Sequence, residues 1–270
     1  MVRFTPYEIS LCLYDKERTK RFAKAIEKTV SKGDIVIDAG SGTGILGLLA
    51  AKAGAKKVYC IEIHPRFAEI IKKNAEINKL QDKIIVIKGD ASRVKIPQKA
   101  DVLLCELLST GLFFEPETKV INHLKKYLKK DAKIIPEKCV SWVQLVDAQK
   151  DLYGLHLNYD SRSERLRDKG LTTKTQFDEL NFQEKDEPLC INSKIVVEGK
   201  TNGSANAIRV TSRAKLSDSV YTKQSRFLFN PTIVYLKKKI KILKGKSYLV
   251  HISYKHGGDT LGTKVTVKRC

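Results

Sequence analysis

The chain has 270 residues, which is enough for one large domain or two modest ones, each burying its own core. No apolar run approaches the ~20 residues that cross a bilayer, and the N-terminus has no signal-peptide core, so we expect a cytoplasmic protein without a membrane partner. The six cysteines form no C-x-x-C pair and no histidine stands at metal-ligand spacing, which argues against a bound metal and a disulfide framework.

The formal net charge of +21 is spread evenly along the chain. Residues 1–135 carry 26 Lys and Arg against 16 Asp and Glu, and residues 136–270 carry 25 against 14. A basic protein attracts phosphate through counterion release, but a Lys-rich surface is also typical of thermophilic proteins. The charge therefore leaves nucleic acid open as a partner without identifying a binding site for it.

The first half of the chain alternates strand-like and helix-like patterns. Residues 15–30 place apolar side chains at helical spacing, with Asp15 positioned as the N-cap. This alternation predicts an α/β fold with a doubly wound, mostly parallel, Rossmann-like sheet over residues 1–136 and ligands at the carboxyl ends of the strands. The strand-like runs are 34–39, 58–62, 84–88, 101–106 and 132–135, and the helical patterns between them are 46–53, 65–78 and 117–129.

After Pro136 the pattern changes to short alternating runs separated by turn-rich pieces. We therefore predict that residues 137–270 form a β-barrel-like or β-sandwich domain with a substrate-binding or accessory role. The polar residues 160–188 are interpreted as a long loop or protrusion with some helix. The alternating runs are 140–146, 191–197, 207–212, 232–235, 248–254 and 263–267.

The strongest functional signal lies in residues 35–62. An apolar strand ends in Asp38, a turn contains Gly40 and Gly42, a helical pattern follows, and the next strand ends in Glu62. Glycines let the backbone approach a ligand closely, and an acid after the second strand suits two ribose hydroxyls. NAD enzymes use the same device, but an acid before the first glycine repels a pyrophosphate and suits a cation.

This series resembles the cofactor site of the S-adenosylmethionine-dependent methyltransferases, with a nucleotide dehydrogenase as the alternative. The resemblance implies that Asp38 lies near the sulfonium end of the cofactor. It also implies that Gly40 and Gly42 pass under the methionine moiety and that Glu62 holds the ribose hydroxyls.

A further acid, Asp90, follows the third strand-like run. We expect Asp90 and the backbone near Ala91 to meet the adenine of the cofactor. The alternative is that Asp90 caps a short helix over residues 91–94, and the two roles are compatible.

A second cluster follows the fourth strand, in the sequence CELLSTGLFFEP at residues 105–116. Glu106 and Glu115 lie on a loop at the carboxyl end of this strand, and Gly111 between them permits a tight hairpin. Two anions that face one pocket repel each other unless a cation lies between them, and a planar guanidinium fits that position by bidentate pairing. The alternative is that Glu115 only caps a helix that begins at Pro116.

The same loop resembles the double-glutamate loop of the protein arginine methyltransferases, in which eight residues separate two glutamates. The resemblance implies that Arg18 contacts the carboxylate of the cofactor, and that Glu106 and Glu115 orient a target guanidinium and localise its charge. It extends over about residues 10–140, in the segments LYDKERT (13–19), DAGSGTGIL (38–46), AAKAGAKKVYCIE (50–62), IIVIKGDASRVKIP (84–97) and ADVLLCELLSTGLFFE (100–115).

Three features depart from the pattern of that family. Its N-terminal Y-F-x-S-Y helix, which covers the cofactor, has no counterpart in MVRFTPYEIS. Its Thr-His-Trp loop is replaced by Thr222, Lys223 and Gln224, which is expected to place a lysine beside the site. Ser92 stands where the family has a glutamate that reads adenine, with Asp90 as the substitute. These departures leave the cofactor assignment unaffected and open the acceptor to alternatives.

The sequence therefore predicts an S-adenosyl-L-methionine-dependent methyltransferase that methylates a guanidino or amine nitrogen of a protein. One alternative is an RNA or ribosomal-component methyltransferase on the same scaffold, and another is a protein that holds the cofactor without transferring its methyl group. The expected partners are a protein substrate, arginine-rich in the first case, or an RNA or ribonucleoprotein, together with a second copy of the chain in a homodimer.

Overall fold

The computed structural model describes residues 6–149, 151–152, 154–156, 161–162, 167–184 and 186–270. In the first half, five parallel strands form one sheet in the order β3-β2-β1-β4-β5. The strands are β1 (Ile35–Ala39), β2 (Lys57–Glu62), β3 (Ile84–Lys88), β4 (Ala100–Cys105) and β5 (Leu128–Ile135). The predicted doubly wound sheet is confirmed.

The strand order reverses between β1 and β4, and this position determines where a ligand binds. Helices cover both faces of such a sheet, so its central strands are apolar along their whole length. Val36, Ile37, Leu103 and Leu104 in β1 and β4 are accordingly fully buried. Chain connections leave these two strands in opposite directions and open a crevice at their carboxyl ends, where open α/β sheets bind ligands.

Five helices and one 3₁₀ turn accompany this sheet. Asp15 is the N-cap of α2, as predicted, because its Oδ1 accepts the Arg18 backbone N–H at 3.1 Å. The predicted helix over 117–129 is four residues too long, since the chain enters β5 at Leu128. The elements are α1 (Pro6–Cys12), α2 (Lys16–Thr29), α3 (Ile45–Ala53), α4 (Pro65–Ile77), the turn Thr110–Leu112 and α5 (Glu117–Lys125).

The second half consists of antiparallel strands, which confirms the β-rich prediction. One sheet has the order β10-β6-β13-β15-β9, with β11 on β6 and β14 on β13; a second sheet has the order β12-β16-β17, and β7 pairs with β8. The strands are β6 (Lys138–Ala148), β7 (Asp151–Leu152), β8 (Leu155–His156), β9 (Ser161–Arg162), β10 (Asp168–Gly170), β11 (Thr175–Asn181), β12 (Cys190–Glu198), β13 (Gly203–Ser217), β14 (Val220–Tyr221), β15 (Thr232–Ile242), β16 (Ser247–Lys255) and β17 (Lys264–Arg269).

The interpretation of residues 160–188 as a loop with some helix is wrong for the part that the structure describes. β10 and β11 both pair with β6 there. β11 buries Phe177 and Leu180, which are three residues apart and so do not alternate as in a regular strand. The cause is a β-bulge between Gln176 and Asp178, which shifts the register by one residue.

Residues of the second half pack into the hydrophobic core of the first sheet, and the second half has further clusters of its own. Phe182, Leu216 and Phe229 from the second half belong to the same buried cluster as the strands of the first sheet. The division into residues 1–136 and 137–270 stays a prediction, and it falls between the end of β5 and the start of β6. Within the described ranges, no helix is long and apolar enough to span a membrane.

Candidate active site

A cavity of about 500 Å³ opens at the crevice between β1 and β4. Its wall is built from the glycine loop after β1, the residues after β2, β3 and β4, and one side of α1. It therefore lies where the strand topology predicts a ligand site, at the carboxyl ends of the strands.

The loop after β1 presents bare backbone to the cavity. Gly40 and Gly42 have φ values of +72° and +54°, which side-chain-bearing residues rarely adopt. A Cβ on Gly42 would lie 3.1 Å from Ile9 Cγ2, and a Cβ on Gly40 would lie 2.7 Å from Leu107 Cδ2. Both positions therefore need glycine for conformation and for space, and any ligand on this loop contacts main chain.

Glu62 closes the far side of the glycine loop. It lies at the end of β2, lines the cavity and is buried. Its Oε2 accepts the Gly42 N–H at 2.7 Å and its Oε1 accepts the His64 N–H at 2.8 Å. The carboxylate is thus held in one orientation by backbone donors, and each oxygen still has a lone pair for a ligand hydroxyl.

Asp38 does not line the cavity, in contrast to its predicted place near the sulfonium. Its carboxyl is fully buried behind the glycine loop, and its Oδ2 accepts the Gly47 N–H of α3 at 3.0 Å. Burial raises the pKa of Asp38 to about 7. This hydrogen bond joins the end of β1 to the first turn of α3. Asp38 therefore stabilises the glycine loop from the side that faces away from the cavity.

We expect the Asp38→Asn variant to lose part of the pH dependence of folding stability. Because the folded pKa of about 7 exceeds the ordinary 3.8, protonated Asp38 stabilises the fold at acid pH, and this contribution is lost as the pH rises through about 7. Asn keeps an acceptor for the Gly47 N–H and cannot ionise. Thermal unfolding measured at about pH 5 and pH 8 should therefore differ less in the variant than in the wild type. Equal pH dependence in both proteins contradicts this, and the exposed Asp82→Asn is the control.

Asp90 and Ala91 both line the cavity, on the loop after β3. The Asp90 Oδ1 accepts the Ser92 N–H at 2.8 Å, and the loop is a turn without a helix, so the predicted helix over 91–94 does not form. Ser92 is buried and does not line the cavity. The structure thus brings Asp90, and not Ser92, to the ligand side of this loop.

Arg18 and Glu106 form a buried ion pair on the cavity wall. The Arg18 Nη2 donates to Glu106 Oε2, and its Nη1 donates to the Cys12 carbonyl oxygen at 3.4 Å. Burial alone would lower the pKa of Arg18, but Glu106 raises it above its ordinary value. The guanidinium expected beside Glu106 was that of the acceptor, and the structure places the chain's own Arg18 there.

Glu115 lines the same cavity as Glu106. The turn between them contains Gly111 at a φ of +61°, whose carbonyl oxygen accepts the Tyr254 hydroxyl at 2.8 Å. α5 begins at Glu117 and its N-cap residue is Pro116, so Glu115 lies directly before the cap position. The two predicted acceptor-site carboxylates therefore reach one cavity.

Glu117 is a third carboxyl group at this loop, which the sequence analysis missed. It is fully buried, and its Oε2 accepts the Leu107 N–H at 2.7 Å. The signal in the sequence is the spacing Glu-Pro-Glu, which places a second acid at the first turn of α5 directly after Glu115.

The expectation that the N-terminus lacks a covering helix is wrong for residues 6–12. These residues form α1, and Glu8, Ile9 and Cys12 on it line the cavity. The contact of Ile9 with Gly42 explains how a helix without the family's aromatic pattern lies over the glycine loop.

The segment 222–227 also differs from the expectation. Lys223 is exposed and does not line the cavity, whereas Phe227, four residues later, does. Asp15 holds this segment in place, because its Oδ2 accepts the Phe227 N–H at 3.0 Å and the Ser225 hydroxyl at 2.6 Å. The cavity wall thus contains the aromatic ring of Phe227 where the side chain of Lys223 was expected.

Two comparisons relate the whole chain or its first half to other proteins. Residues 15–137 match the family model for ribosomal protein L11 methyltransferase (PrmA). The uncharacterized protein MJ1452 of Methanocaldococcus jannaschii is 36% identical over 257 residues, which cover 94% of both chains.

Two arginine methyltransferases are similar over about half of this chain. Histone-arginine methyltransferase CARMER of Anopheles gambiae is 34% identical over 128 residues, 47% of this chain and 20% of that protein. Protein arginine N-methyltransferase 7 of Mus musculus is 32% identical over 151 residues, 51% of this chain and 22% of that protein. The chain thus spans about a fifth of the length of these two relatives.

A solved structure shares the fold over nearly the full length. The Trypanosoma brucei PRMT1 enzyme-prozyme heterotetrameric complex with AdoHcy contains a chain with a TM-score of 0.76 and 17% identity, with 95% of each chain covered. A parallel sheet followed by a β-rich half is therefore an arrangement that this chain shares with that structure.

Proposed function

Because this chain belongs to the class I S-adenosylmethionine-dependent methyltransferases, in a family that includes MJ1452 and resembles the protein arginine methyltransferases, we propose that it methylates a cationic guanidino or amine nitrogen of a protein in the cytoplasm. The observation that carries the proposal is the charge of the cavity. Among the described residues, five acids and one arginine line it, in a chain whose net charge is +21. An acidic cavity in a basic protein attracts a cationic acceptor and repels phosphate. The five acids are Glu8, Glu62, Asp90, Glu106 and Glu115.

The residues around the glycine loop fit the cofactor. Gly40 and Gly42 form a cradle that a Cβ would fill, and we assign them to the methionine part. Glu62, already oriented by two backbone donors, would accept from the ribose hydroxyls. S-adenosylmethionine supplies an electrophilic methyl group on a sulfonium.

The remaining cofactor assignments follow from position on the wall. Asp90 and the backbone near Ala91 would meet the adenine, and Arg18 would contact the carboxylate of the methionine part. Asp38 would hold the glycine loop through its bond to Gly47 and touch no ligand.

Glu106 and Glu115 would bind the acceptor. Two carboxylates fix a guanidinium by paired hydrogen bonds and draw its positive charge toward the nitrogens that they hold. The nitrogen that they leave free is then the better nucleophile, and its proton passes to a carboxylate or to water after transfer.

We expect the Arg18→Ala variant to bind the cofactor product at least about tenfold more weakly, the usual effect of losing a charge-assisted hydrogen bond. The reason is that Arg18 is the only arginine on the described cavity wall and would pair with the ligand carboxylate. Calorimetry with S-adenosylhomocysteine measures the loss, and decarboxylated S-adenosylmethionine should show a smaller one.

The matched control is Arg21→Ala, which removes an arginine one turn further along α2 that pairs with Glu17. If Arg18→Ala binds the product as tightly as Arg21→Ala does, Arg18 is only the partner of Glu106.

The function is tested with methyl-labelled cofactor and three acceptors: an arginine-rich peptide, the same peptide with lysines, and bulk RNA. We expect label in a peptide, resistant to nuclease. Label in RNA that nuclease removes, and that declines steeply with salt, would contradict the proposal.

A ribosomal component is the second candidate acceptor. The matching family model bears the name of a ribosomal protein methyltransferase, and a charge of +21 suits a partner bound to RNA. Adding ribosomal proteins with and without their RNA to the same assay separates this candidate from a free peptide.

We also infer a homodimer, since the similar trypanosome structure is a heterotetrameric complex; light scattering measures the mass.

A further inference from the structure

Glu117 lies directly beneath the loop that carries Glu106 and Glu115. It is the first residue of α5 and is completely inaccessible to solvent. Its Oε2 accepts the Leu107 N–H at 2.7 Å and is 3.5 Å from the Cys105 Sγ. Its Oε1 has no hydrogen-bond partner among the described residues. A carboxyl group in this position needs an explanation, because an ionised buried carboxylate without a counterion is costly.

The surroundings of Glu117 favour its protonated form. Burial raises its pKa well above the ordinary value, and the charges of Glu106 and Glu115 raise it further. The other titratable groups that face it are the thiols of Cys105 and Cys139, whose pKa values burial also raises, so neither supplies a compensating charge. The Leu107 N–H acts in the opposite direction, but the balance of these effects favours the protonated form of Glu117.

The contacts of Glu117 connect the two ends of the loop. Leu107 follows Glu106 directly in the chain, and Glu115 precedes Glu117 by two residues. The bond from Leu107 N–H to Glu117 Oε2 thus closes residues 107–117 into a ring, with Glu106 directly before it. Glu117 thus holds the chain next to Glu106, while Ser109 holds the other side of the loop, because its Oγ accepts the Phe114 N–H at 3.0 Å and the Glu115 N–H at 3.4 Å.

We propose that Glu117 is a positioning residue, whose side chain closes the segment 107–117 and thereby helps to set the separation of Glu106 and Glu115. This inference rests on the proposed role of those two residues in holding the acceptor. A neutral group is required in this position, because a third negative charge would repel the other two carboxylates and open the loop.

Two substitutions separate the hydrogen bond from the charge. Glu117→Gln keeps an acceptor for the Leu107 N–H and is always neutral. Glu117→Met keeps the length of the side chain and removes the acceptor, so the Leu107 N–H loses its partner; circular dichroism verifies that the variant is folded. Glu76→Met, at an exposed position of α4, is the control for the substitution itself.

The first readout is methyl transfer to the arginine-rich peptide. We expect Glu117→Gln to transfer like the wild type, and Glu117→Met to lose about tenfold or more in kcat with unchanged affinity for S-adenosylhomocysteine. Transfer by the wild type should fall at alkaline pH as Glu117 ionises, and Glu117→Gln should lack this decline. A Gln variant as impaired as the Met variant, or a Met variant with normal kcat, overturns the proposal.

The second readout is amide hydrogen exchange of residues 106–117, which requires no acceptor. Exchange should be faster in Glu117→Met than in the wild type and unchanged in Glu117→Gln and in Glu76→Met. Unchanged exchange in Glu117→Met overturns the positioning role. A different outcome would separate the two hypotheses. If Glu106→Gln retains full transfer while residues 106–117 still exchange faster in Glu117→Met, Glu106 does not bind the acceptor, but Glu117 still holds the loop.

Discussion

Replacing Glu106 or Glu115 with Gln is expected to reduce methyl transfer by about 10²-fold or more while cofactor affinity stays nearly intact. Gln has the shape of Glu without its charge, so the acceptor would lose the attraction that holds it and localises its charge. The measurement is labelled-methyl transfer to an arginine-rich peptide, combined with calorimetry for S-adenosylhomocysteine.

The comparison between the two variants adds information. Glu106→Gln also removes the ionic partner of the buried Arg18, so it tests two contacts at once. If Glu115→Gln alone keeps full transfer, the proposal that two carboxylates bind the acceptor is wrong. The role of Glu106 is then to pair with Arg18. If both variants lose transfer to the peptide and keep transfer to RNA, the acceptor is a nucleic acid.

The second large effect concerns Glu62. Glu62→Ala is expected to weaken binding of the cofactor and its product by roughly 1.5–3 kcal/mol, the cost of charge-assisted hydrogen bonds to the ligand. Part of the loss would come from the Gly42 and His64 N–H groups, which the variant leaves without their acceptor. Glu62→Gln retains one acceptor oxygen and should bind with intermediate affinity.

Calorimetry on both Glu62 variants, with circular dichroism to verify folding, measures this effect. The exposed Glu76→Ala on α4 is the matched control. An Ala variant that binds as tightly as the wild type would exclude Glu62 as a ligand of the ribose, although its place on the cavity wall would stand.

The sheet and the cofactor side of the cavity could be predicted because their signals are local. Buried parallel strands are continuous apolar runs, and Gly40 and Gly42 mark the turn at which bare backbone is needed. Glu62 and Asp90 end or follow such runs, so their places on the cavity wall follow from the strand order alone.

The remaining features depend on contacts between distant residues or on short elements. α1 has only seven residues, about two turns, which is too short for its apolar spacing to identify a helix. The bulge in β11 masks the alternation that identifies a strand. Arg18 and Glu106 are 88 residues apart, so their pairing is not visible in any segment of sequence.

The burial of two acidic side chains, Asp38 and Glu117, could not be predicted from the sequence either. Asp38 follows an apolar run just as a ligand-facing acid would, and only the packing of α3 turns its carboxyl away from the cavity. Glu117 looks like an ordinary acid in the first turn of a helix, a position that acids favour. Its complete burial depends on the fold of the loop above it.

The core that both sheets share has a consequence for how the molecule gains and loses its structure. Phe182, Leu216 and Phe229 are buried among residues of the first sheet, and Asp15 in the first half holds the backbone of Phe227 in the second. Neither half can bury these groups alone, so melting one half exposes apolar surface of the other. We therefore expect the two halves to lose these shared contacts together, along with the part of the cavity wall that Phe227 contributes.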